Sequence, residues 1–231
     1  VRSAVRSQSG FVLVTGADKM FYEVYNPATG GFEPFTPHPI PGESSPPARI
    51  GPIATLLADD RILVTGAFGS PTFGGYAEVI NLERPQAREV YRIDPRFGHT
   101  ATLLHNGRVL IAGGSFGVSP SGSPPMTRTT LLFRPGDGVI GEGEVMASPR
   151  SGHSAVPLAD GSVLIIGGHD GDAEIYDVDT NRFQVFRSDL SRVRSGSSTT
   201  LLPNGGTVLI IGGYTEDAVP LDRGVLFRPL P

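Results

Sequence analysis

The chain has 231 residues, no cysteine, no tryptophan and a formal net charge of −4 at pH 7. That charge argues against the basic surface that nucleic-acid binding requires, and no apolar run approaches the roughly 18 residues of a membrane-spanning helix. The 31 glycines and 21 prolines are typical of a turn-rich, all-β protein, and the length suits a single domain over 1–231.

A unit of about 45 to 54 residues repeats along the chain. Its clearest copy starts at Arg96-Phe97-Gly98-His99, crosses the turn Asn106-Gly107, and ends on an apolar run that closes at Gly113-Gly114. Asn-Gly between two β-rich runs indicates a hairpin, because both residues tolerate a positive φ. The matching glycines stand at positions 16, 66, 113, 167 and 212. Such a period is typical of the blades of a β-propeller.

Five blades are therefore predicted in chain order, with most of them built from four antiparallel strands. Their approximate ranges are 1–47, 48–94, 95–148, 149–192 and 193–231. In the first two blades the hairpin is followed by predicted third and fourth strands. These strands are 20–26 and 32–35 in blade one, and 76–82 and 87–93 in blade two.

The later blades carry the most apolar second strands, Val109 to Ile111 and Val163 to Ile166. Continuous apolar runs of this length predict strands that are buried on both faces. Blade three holds a long insert of Ser, Gly and Pro over 115–127. Blade five reaches a third strand over 224–228, and no fourth run follows it, so its outer edge is predicted to be open to a partner strand.

The repeat resembles the kelch family of β-propellers. The likeness is carried by Arg-x-Gly-His, by the closing Gly-Gly, and by the segments Tyr22 to Gly30 and Glu174 to Asn181, which are similar to the kelch tyrosine–aspartate turn. The resemblance implies blades of four antiparallel strands. This chain departs from the kelch pattern in lacking the tryptophan of the fourth strand, where we expect Phe32 and Phe183, and in carrying Gly-Ala for Gly-Gly in blades one and two.

The sequence is compatible with two arrangements of the propeller ring. Aligned on the repeat, Val1 matches Gly98, so no spare N-terminal strand is expected to complete blade five. Either blade five has three strands in a compact five-bladed domain, which we favour, or the chain is part of a larger ring. An open blade edge would be an aggregation hazard.

Arginine recurs at the entry to the first strand in four blades. Strand alternation places these entries on the same face as the connections between second and third strands, so they are expected at one mouth of the central channel. Planar guanidinium groups bind carboxylates through paired hydrogen bonds, and some kelch proteins hold acidic peptides with arginines at this repeat position. A structural role, pairing with a neighbouring backbone or carboxylate, is the favoured alternative. The four residues are Arg49, Arg96, Arg150 and Arg194.

Two histidines, His99 and His153, occupy equivalent positions in adjacent blades. Imidazole is a common metal ligand, but the matching positions in blades two and five are Pro52 and Ser197. Hydrogen bonding to a neighbouring backbone explains the pair as well as a metal does. The run 169–172 offers further oxygens, and a solvated loop is the simpler interpretation. We therefore predict no metal, and His99 and His153 are candidate ligand contacts.

These observations favour a non-catalytic binding or scaffold module in a surface or multidomain bacterial protein, with an extracellular setting preferred. A protein or glycan partner, of acidic character if the arginines take part, is expected at the channel-mouth face. No hydrolase, metalloprotease or nucleotide-binding motif occurs, so we predict no catalytic residue and no cofactor. The alternatives are a propeller enzyme, a metal-dependent lectin, or a fragment of a larger kelch-containing protein. The copper cofactor of galactose-oxidase-like propellers requires a cysteine that this chain lacks.

Overall fold

The structure is a computed structural model of the protein. It describes residues 3–16, 22–35, 51–66, 75–84, 87–116, 125–168, 172–186, 195–203, 206–215 and 217–228. The described residues form nineteen β-strands in five antiparallel sheets, the blades of a five-bladed β-propeller. By their contacts the residues group into two compact units. Unit one is Val1–Phe97 with Phe116–Val118, and unit two is Gly98–Ser115 with Ser119–Pro231.

Unit one contains the first two blades, each of four strands in sequential order. Blade one consists of β1 (Ser3–Arg6), β2 (Val12–Thr15), β3 (Tyr22–Asn26) and β4 (Gly31–Phe35). Blade two consists of β5 (Ile53–Leu56), β6 (Ile62–Thr65), β7 (Gly75–Ile80) and β8 (Arg88–Ile93). Apolar and β-branched residues dominate the second strands, which lie inside the sheets and suit a pleated, buried surface.

Unit two contains the other three blades. Blade three consists of β9 (Thr100–Leu103), β10 (Val109–Ala112), β11 (Thr130–Arg134) and β12 (Val139–Glu142). Blade four consists of β13 (Ser154–Pro157), β14 (Val163–Ile166), β15 (Ala173–Asp177) and β16 (Arg182–Phe186). Blade five consists of β17 (Ser198–Leu201), β18 (Val208–Ile211) and β19 (Val225–Phe227).

Within unit two, neighbouring blades pack face to face through their second and third strands. One face of each blade contacts the opposite face of the blade that follows it. Leu110 and Leu132 of blade three pack with Val163, Ile165 and Tyr176 of blade four. One step further, Leu164 and Ile166 of blade four pack with a set on blade five, namely Val208, Ile210 and Phe227. Alternate side chains of a strand point to opposite faces. Blade four is therefore buried on both sides.

The buried second strands and the three-stranded last blade are confirmed. Every residue of Val109–Ala112 and Val163–Ile166 is at most 3% exposed, and within the described residues blade five has three strands. The observed strands differ by a few residues from the predicted bounds. The two expected replacements for tryptophan differ from each other. Phe183 packs against the blade three–four core, whereas Phe32 is 61% exposed.

The hairpin turn differs from the prediction in one detail. Gly107 has a φ of +79°, but Asn106 does not adopt a positive φ. The turn is longer than two residues, because the Leu104 N–H donates to the Arg108 carbonyl oxygen and the Gly107 N–H donates to that of Leu104. Only its last position needs the left-handed conformation. Asn106 instead accepts a hydrogen bond from the Arg108 N–H through Oδ1, at 3.1 Å.

Candidate functional site

In blades four and five, the segment before the first strand is bonded to the preceding blade through its backbone. In unit two the Gly152 N–H donates to the Gly98 carbonyl oxygen at 2.7 Å, and the Gly196 N–H donates to that of Gly152 at 2.8 Å. All three glycines have a φ between +66° and +70°. A Cβ on Gly98 would lie 2.4 Å from Ser151 Oγ. The glycine of Arg-x-Gly is therefore required for these links between blades.

Arg150 is fully buried and its guanidinium is held within blade four. Nε and Nη2 donate to Oε1 of Glu174 at 3.1 and 3.0 Å, in an ion pair that is 0% exposed at both side chains. Nη1 donates to the Gly167 carbonyl oxygen at 3.0 Å, and Nη2 also donates to that of Asp172. A buried charge of this kind persists only when it is paired and hydrogen-bonded.

The main chain of Arg150 binds the preceding blade. Its carbonyl oxygen accepts from the Gly114 N–H at 2.7 Å, and its N–H donates to the Thr127 carbonyl oxygen at 3.1 Å. The other oxygen of Glu174, Oε2, accepts from the Ala147 N–H at 2.7 Å. One arginine thus joins the Gly-Gly of blade three, the Gly-Gly of blade four and the stem of the long insert.

His153 packs where the Gly-Gly pairs leave room for it. A Cβ on Gly113 would lie 2.8 Å from its Cε1, and a Cβ on Gly168 would lie 2.8 Å from its Cβ. Its Nε2 hydrogen-bonds Thr100 Oγ1 of blade three at 2.9 Å. Its Nδ1 has no hydrogen-bond partner within the described part of the chain. The histidine therefore ties β9 to the first strand of blade four.

Burial governs the titration of this histidine. Desolvation, with a smaller repulsion from the Arg150 charge, lowers the pKa of His153 from its ordinary 6.5 to about 3. The imidazole is neutral at neutral pH, so it offers no positive charge to an acidic ligand. It joins its neighbours by packing and by the Thr100 hydrogen bond.

Stability is expected to fall as the pH drops below the ordinary pKa of His153. The unfolded chain takes up a proton near pH 6.5, whereas the folded protein leaves His153 neutral down to about pH 3. In that window the free energy of unfolding should decrease by about 1.4 kcal/mol per pH unit, and the full stability is present above it. Urea unfolding at several pH values between about 7 and 5 measures this slope.

Two substitutions separate His153 from the other titrating groups. The variant His153→Asn should lose most of the slope. The matched control His105→Asn removes a half-exposed histidine that lies near Asp179 on the surface, and it should keep the slope. An unchanged slope in His153→Asn would contradict the assignment.

The other predicted residues are placed as follows. Arg96 is 2% exposed and lies in unit one, with its Nη2 3.9 Å from the exposed Asp94. Burial lowers the pKa of the Arg96 guanidinium, and the Asp94 charge opposes that shift. His99 is also buried, in unit two. Arg49 and Arg194 lie outside the described residues. Of the six predicted positions, the structure brings together Arg150 and His153.

Glu174 is the important residue that the sequence analysis missed. Its signal was a carboxylate in the middle of an apolar strand, Ala173-Glu174-Ile175, which recurs as Ala77-Glu78-Val79 in blade two. Glu78 is likewise 0% exposed and accepts a hydrogen bond from Arg88 Nη1 at 3.1 Å. Charged residues are rarely buried unless they are paired, so these two glutamates, where buried, require a cation beside them; Glu23, in the same place on β3, is exposed.

The long connections begin beside these segments. In blade three, Ser115 forms a β-bridge with Met126 at the base of the insert. In blade five the Tyr214 N–H donates to the Ser195 carbonyl oxygen at 3.0 Å, and the Ser195 N–H donates back to that of Tyr214 at 3.2 Å. Within unit two, the stems of these loops and the Arg-x-Gly segments therefore share one face, as strand alternation predicts.

The opposite face of unit two carries a cleft of about 370 Å³ near Asp160, Asp177 and His105. Both aspartates are committed to their own turns. Oδ1 of Asp160 accepts from Ser162, and Oδ1 of Asp177 accepts from the N–H groups of Asp179 and Thr180. These hydrogen bonds lower the pKa of both carboxyls.

In comparisons with known proteins, the chain matches no family model and no curated protein sequence. Within the described ranges, no three or more His, Asp or Glu side chains are grouped so as to hold a metal ion. The same residues include no helix that could span a membrane. The five-bladed architecture is established, and the kelch identity stays a prediction.

Proposed function

We propose that this chain is a non-catalytic binding module of the kelch type. It recognises a protein or glycan partner through the face that bears the Arg-x-Gly segments and the loops after the second strands. Loops carried on a rigid scaffold are the usual place for binding residues. A five-bladed propeller is compatible with such a role, and it supplies the scaffold.

The observation that carries the proposal is the exposure of large apolar side chains on these loops in unit two. Tyr214 is 50% exposed, Val219 is 55% exposed and Met126 is 38% exposed. Hydrogen bonds at the loop stems fix the backbone beneath Tyr214. Tyrosine is enriched at the energetic centres of protein interfaces, and its amphipathic ring suits a partly wet contact.

The buried Arg150 fits this function as a positioning residue. Arg150 bonds the stem of the blade-three insert through Thr127 and anchors it to the core through Glu174. A rigid stem reduces the entropy that a loop loses when it binds. A direct ligand role for Arg49, Arg96, Arg150, Arg194, His99 and His153 stays a prediction, and with it the preference for acidic partners.

The test is binding of the purified protein to printed arrays of glycans and of peptides, including runs of glutamate. We expect selective binding that Tyr214→Ala weakens about tenfold, an effect of about 1.4 kcal/mol. The control Val185→Ala, at a 45% exposed position on β16, should bind as the parent does. If binding to glutamate runs is lost at high salt, charged groups of the protein contribute to the contact.

Two outcomes would contradict the proposal. One is an absence of selective binding on both arrays. The other is turnover of an arrayed glycan or peptide, which would favour a propeller enzyme. Equal binding by Tyr214→Ala and the parent would place the contact elsewhere on the protein.

A further inference from the structure

The third strand of blade five, β19, is paired along one edge only within the described residues. Its sheet contains β17, β18 and β19, and Leu226 of β19 stands opposite Leu209 of β18. In the other four blades the third strand is paired on both edges. An unpaired strand edge presents a row of N–H and C=O groups that can bond a further strand. The outer edge of β19 is therefore a template for a fourth strand.

Blade three identifies the backbone groups that face this edge. There the Thr130 carbonyl oxygen accepts from the Gly143 N–H at 3.0 Å, on the side of the fourth strand. Backbone groups of successive strand residues point to alternate sides, so Leu132, two residues after Thr130, also faces the fourth strand. Leu226 is the equivalent of Leu132, since each pairs with the second residue of its own second strand. The N–H and C=O of Leu226 therefore point to the unpaired edge.

In two other blades, an aromatic residue of the fourth strand packs on an aromatic residue of the third. The ring centroids of Tyr25 and Phe32 are 5.4 Å apart in blade one, and those of Tyr176 and Phe183 are 5.0 Å apart in blade four. In both blades the two residues stand opposite each other. Phe227 holds the third-strand position in blade five. A strand added to β19 is therefore expected to carry an aromatic residue opposite Phe227.

The cleft of about 370 Å³ on blade four lies where this aromatic residue would pack. Its walls include Ile175, Gln184 and Phe186, which stand on the face of blade four that packs against blade five. The Phe186 ring meets that of Phe227 edge-on, with centroids 6.4 Å apart. Ile175 is half-buried, whereas its equivalent in blade three, Leu132, is 9% exposed beneath a four-stranded neighbour. The cleft thus matches a missing fourth strand of blade five.

The rim of this cleft is acidic. Asp160, Asp177 and Asp179 line it and are exposed, and His105 Nε2 lies 3.4 Å from Asp179 Oδ1. In β16 the residue before the aromatic, Arg182, stands opposite Asp177 at the turn end of the blade. An antiparallel strand on β19 has the same direction, and its side chains two positions apart share a face. A basic residue two positions before the aromatic would therefore complement these carboxylates.

We propose that blade five binds an extended peptide segment as its fourth strand, antiparallel to β19. The segment carries an aromatic residue opposite Phe227 and a basic residue two positions before it. In this mode of recognition, main-chain hydrogen bonds supply affinity and pockets for alternate side chains supply specificity. The site uses an outer strand and the cleft on the opposite face from the loops assigned above, so it does not rest on the proposed function.

The probe is a capped, fluorescently labelled peptide, Thr-Lys-Arg-Phe-Gln-Val-Phe-Arg. It copies the chain's own sequence over 180–187, with lysine in place of Asn181. Fluorescence anisotropy should show saturable binding to the parent protein. Alanine in place of the first phenylalanine should weaken binding about tenfold. Glutamate in place of the lysine should also weaken it, and that difference should shrink at high salt. Failure of the parent protein to bind the probe overturns the proposal.

Variants of the protein test the edge and the rim separately. Leu226 is 58% exposed, and Leu226→Pro removes its N–H at a position where an edge strand tolerates proline. We expect Leu226→Pro to abolish binding, and Leu226→Ala, which keeps the N–H, to bind as the parent does. The double variant Asp160→Asn with Asp177→Asn should lose the preference for lysine over glutamate in the probe. The control Asp137→Asn, at another exposed turn, should keep that preference.

Thermal melting shows whether Leu226→Pro is folded, and hydrogen exchange at the Leu226 amide gives a readout that needs no substitution. This amide should exchange quickly in the protein alone and about tenfold or more slowly with saturating probe. The Leu110 amide, on a fully buried strand, should be unaffected. Folded Leu226→Pro that binds the probe as the parent does would contradict the proposal. So would a Leu226 amide that is already protected without the probe, because another segment of the chain would then occupy the edge.

Discussion

Replacing Arg150 with alanine is expected to destabilise the protein by about 3 to 5 kcal/mol. The substitution leaves Glu174, which is 0% exposed, without the cation that it faces across 3.0 Å. It also removes the donors to the carbonyl oxygens of Gly167 and Asp172. Isolation of a buried carboxylate costs far more than loss of a surface pair, because no water replaces the missing partner.

Urea unfolding measures this effect, with Arg134→Ala as the matched control. Arg134 pairs with Asp137 at a position where both side chains are 57% exposed, and its removal should change the free energy of unfolding by less than about 1 kcal/mol. The double variant Arg150→Met with Glu174→Leu should regain much of the loss, because it removes both charges together. Unchanged stability in Arg150→Ala, with weaker binding to glutamate runs, would instead support a direct ligand role.

Alanine at Gly168 should also be severely destabilising, by about 2 to 5 kcal/mol. Gly168 has a φ of +82°, which costs an L-residue about 1 to 2 kcal/mol. Its new Cβ would in addition lie 2.8 Å from His153 N, His153 Cβ and the Ser151 carbonyl oxygen. Two of these three atoms are backbone, so the clash cannot be relieved by a change of rotamer.

The control for Gly168→Ala is Gly107→Ala. Gly107 has nearly the same φ, +79°, but no atom lies within 4 Å of the position that its Cβ would take. Its substitution reports the conformational cost alone, about 1 to 2 kcal/mol. The difference between the two thermal or urea midpoints isolates the crowding at the Gly-Gly pair. Equal losses would mean that the backbone of Ser151 and His153 shifts to make room for the new Cβ at little cost.

The blades were predictable because their signal is local. Apolar runs such as Val163–Ile166, the Asn106-Gly107 turn and the closing glycines lie within one short stretch, and their spacing is a fixed property of the repeat. The three-stranded last blade was also predicted, and the described residues of that blade form three strands. The turn type was less certain, because Asn-Gly fits both a two-residue turn and a longer one with a single left-handed residue.

The role of the repeated arginine was less predictable because its partner is remote in sequence. Arg150 and Glu174 are separated by a complete hairpin. A sequence does not distinguish a buried arginine from an exposed one. Blade three shows the ambiguity, since Leu131 occupies the position of Glu174 and Arg96 lies near Asp94 instead. The residue types at these positions can be read from the sequence, whereas the burial of their side chains depends on packing between blades.

The backbone links Gly98–Gly152–Gly196 have a consequence for how such a chain can change over evolutionary time. They join successive blades through peptide groups alone, at 2.7 and 2.8 Å, so they are indifferent to the side chains of the strands on either side. Mutations can accumulate in those strands, and in the loops above them, while the register between blades is retained. A repeat built in this way permits divergence of its surfaces under a constant spacing, provided that one glycine per blade is kept.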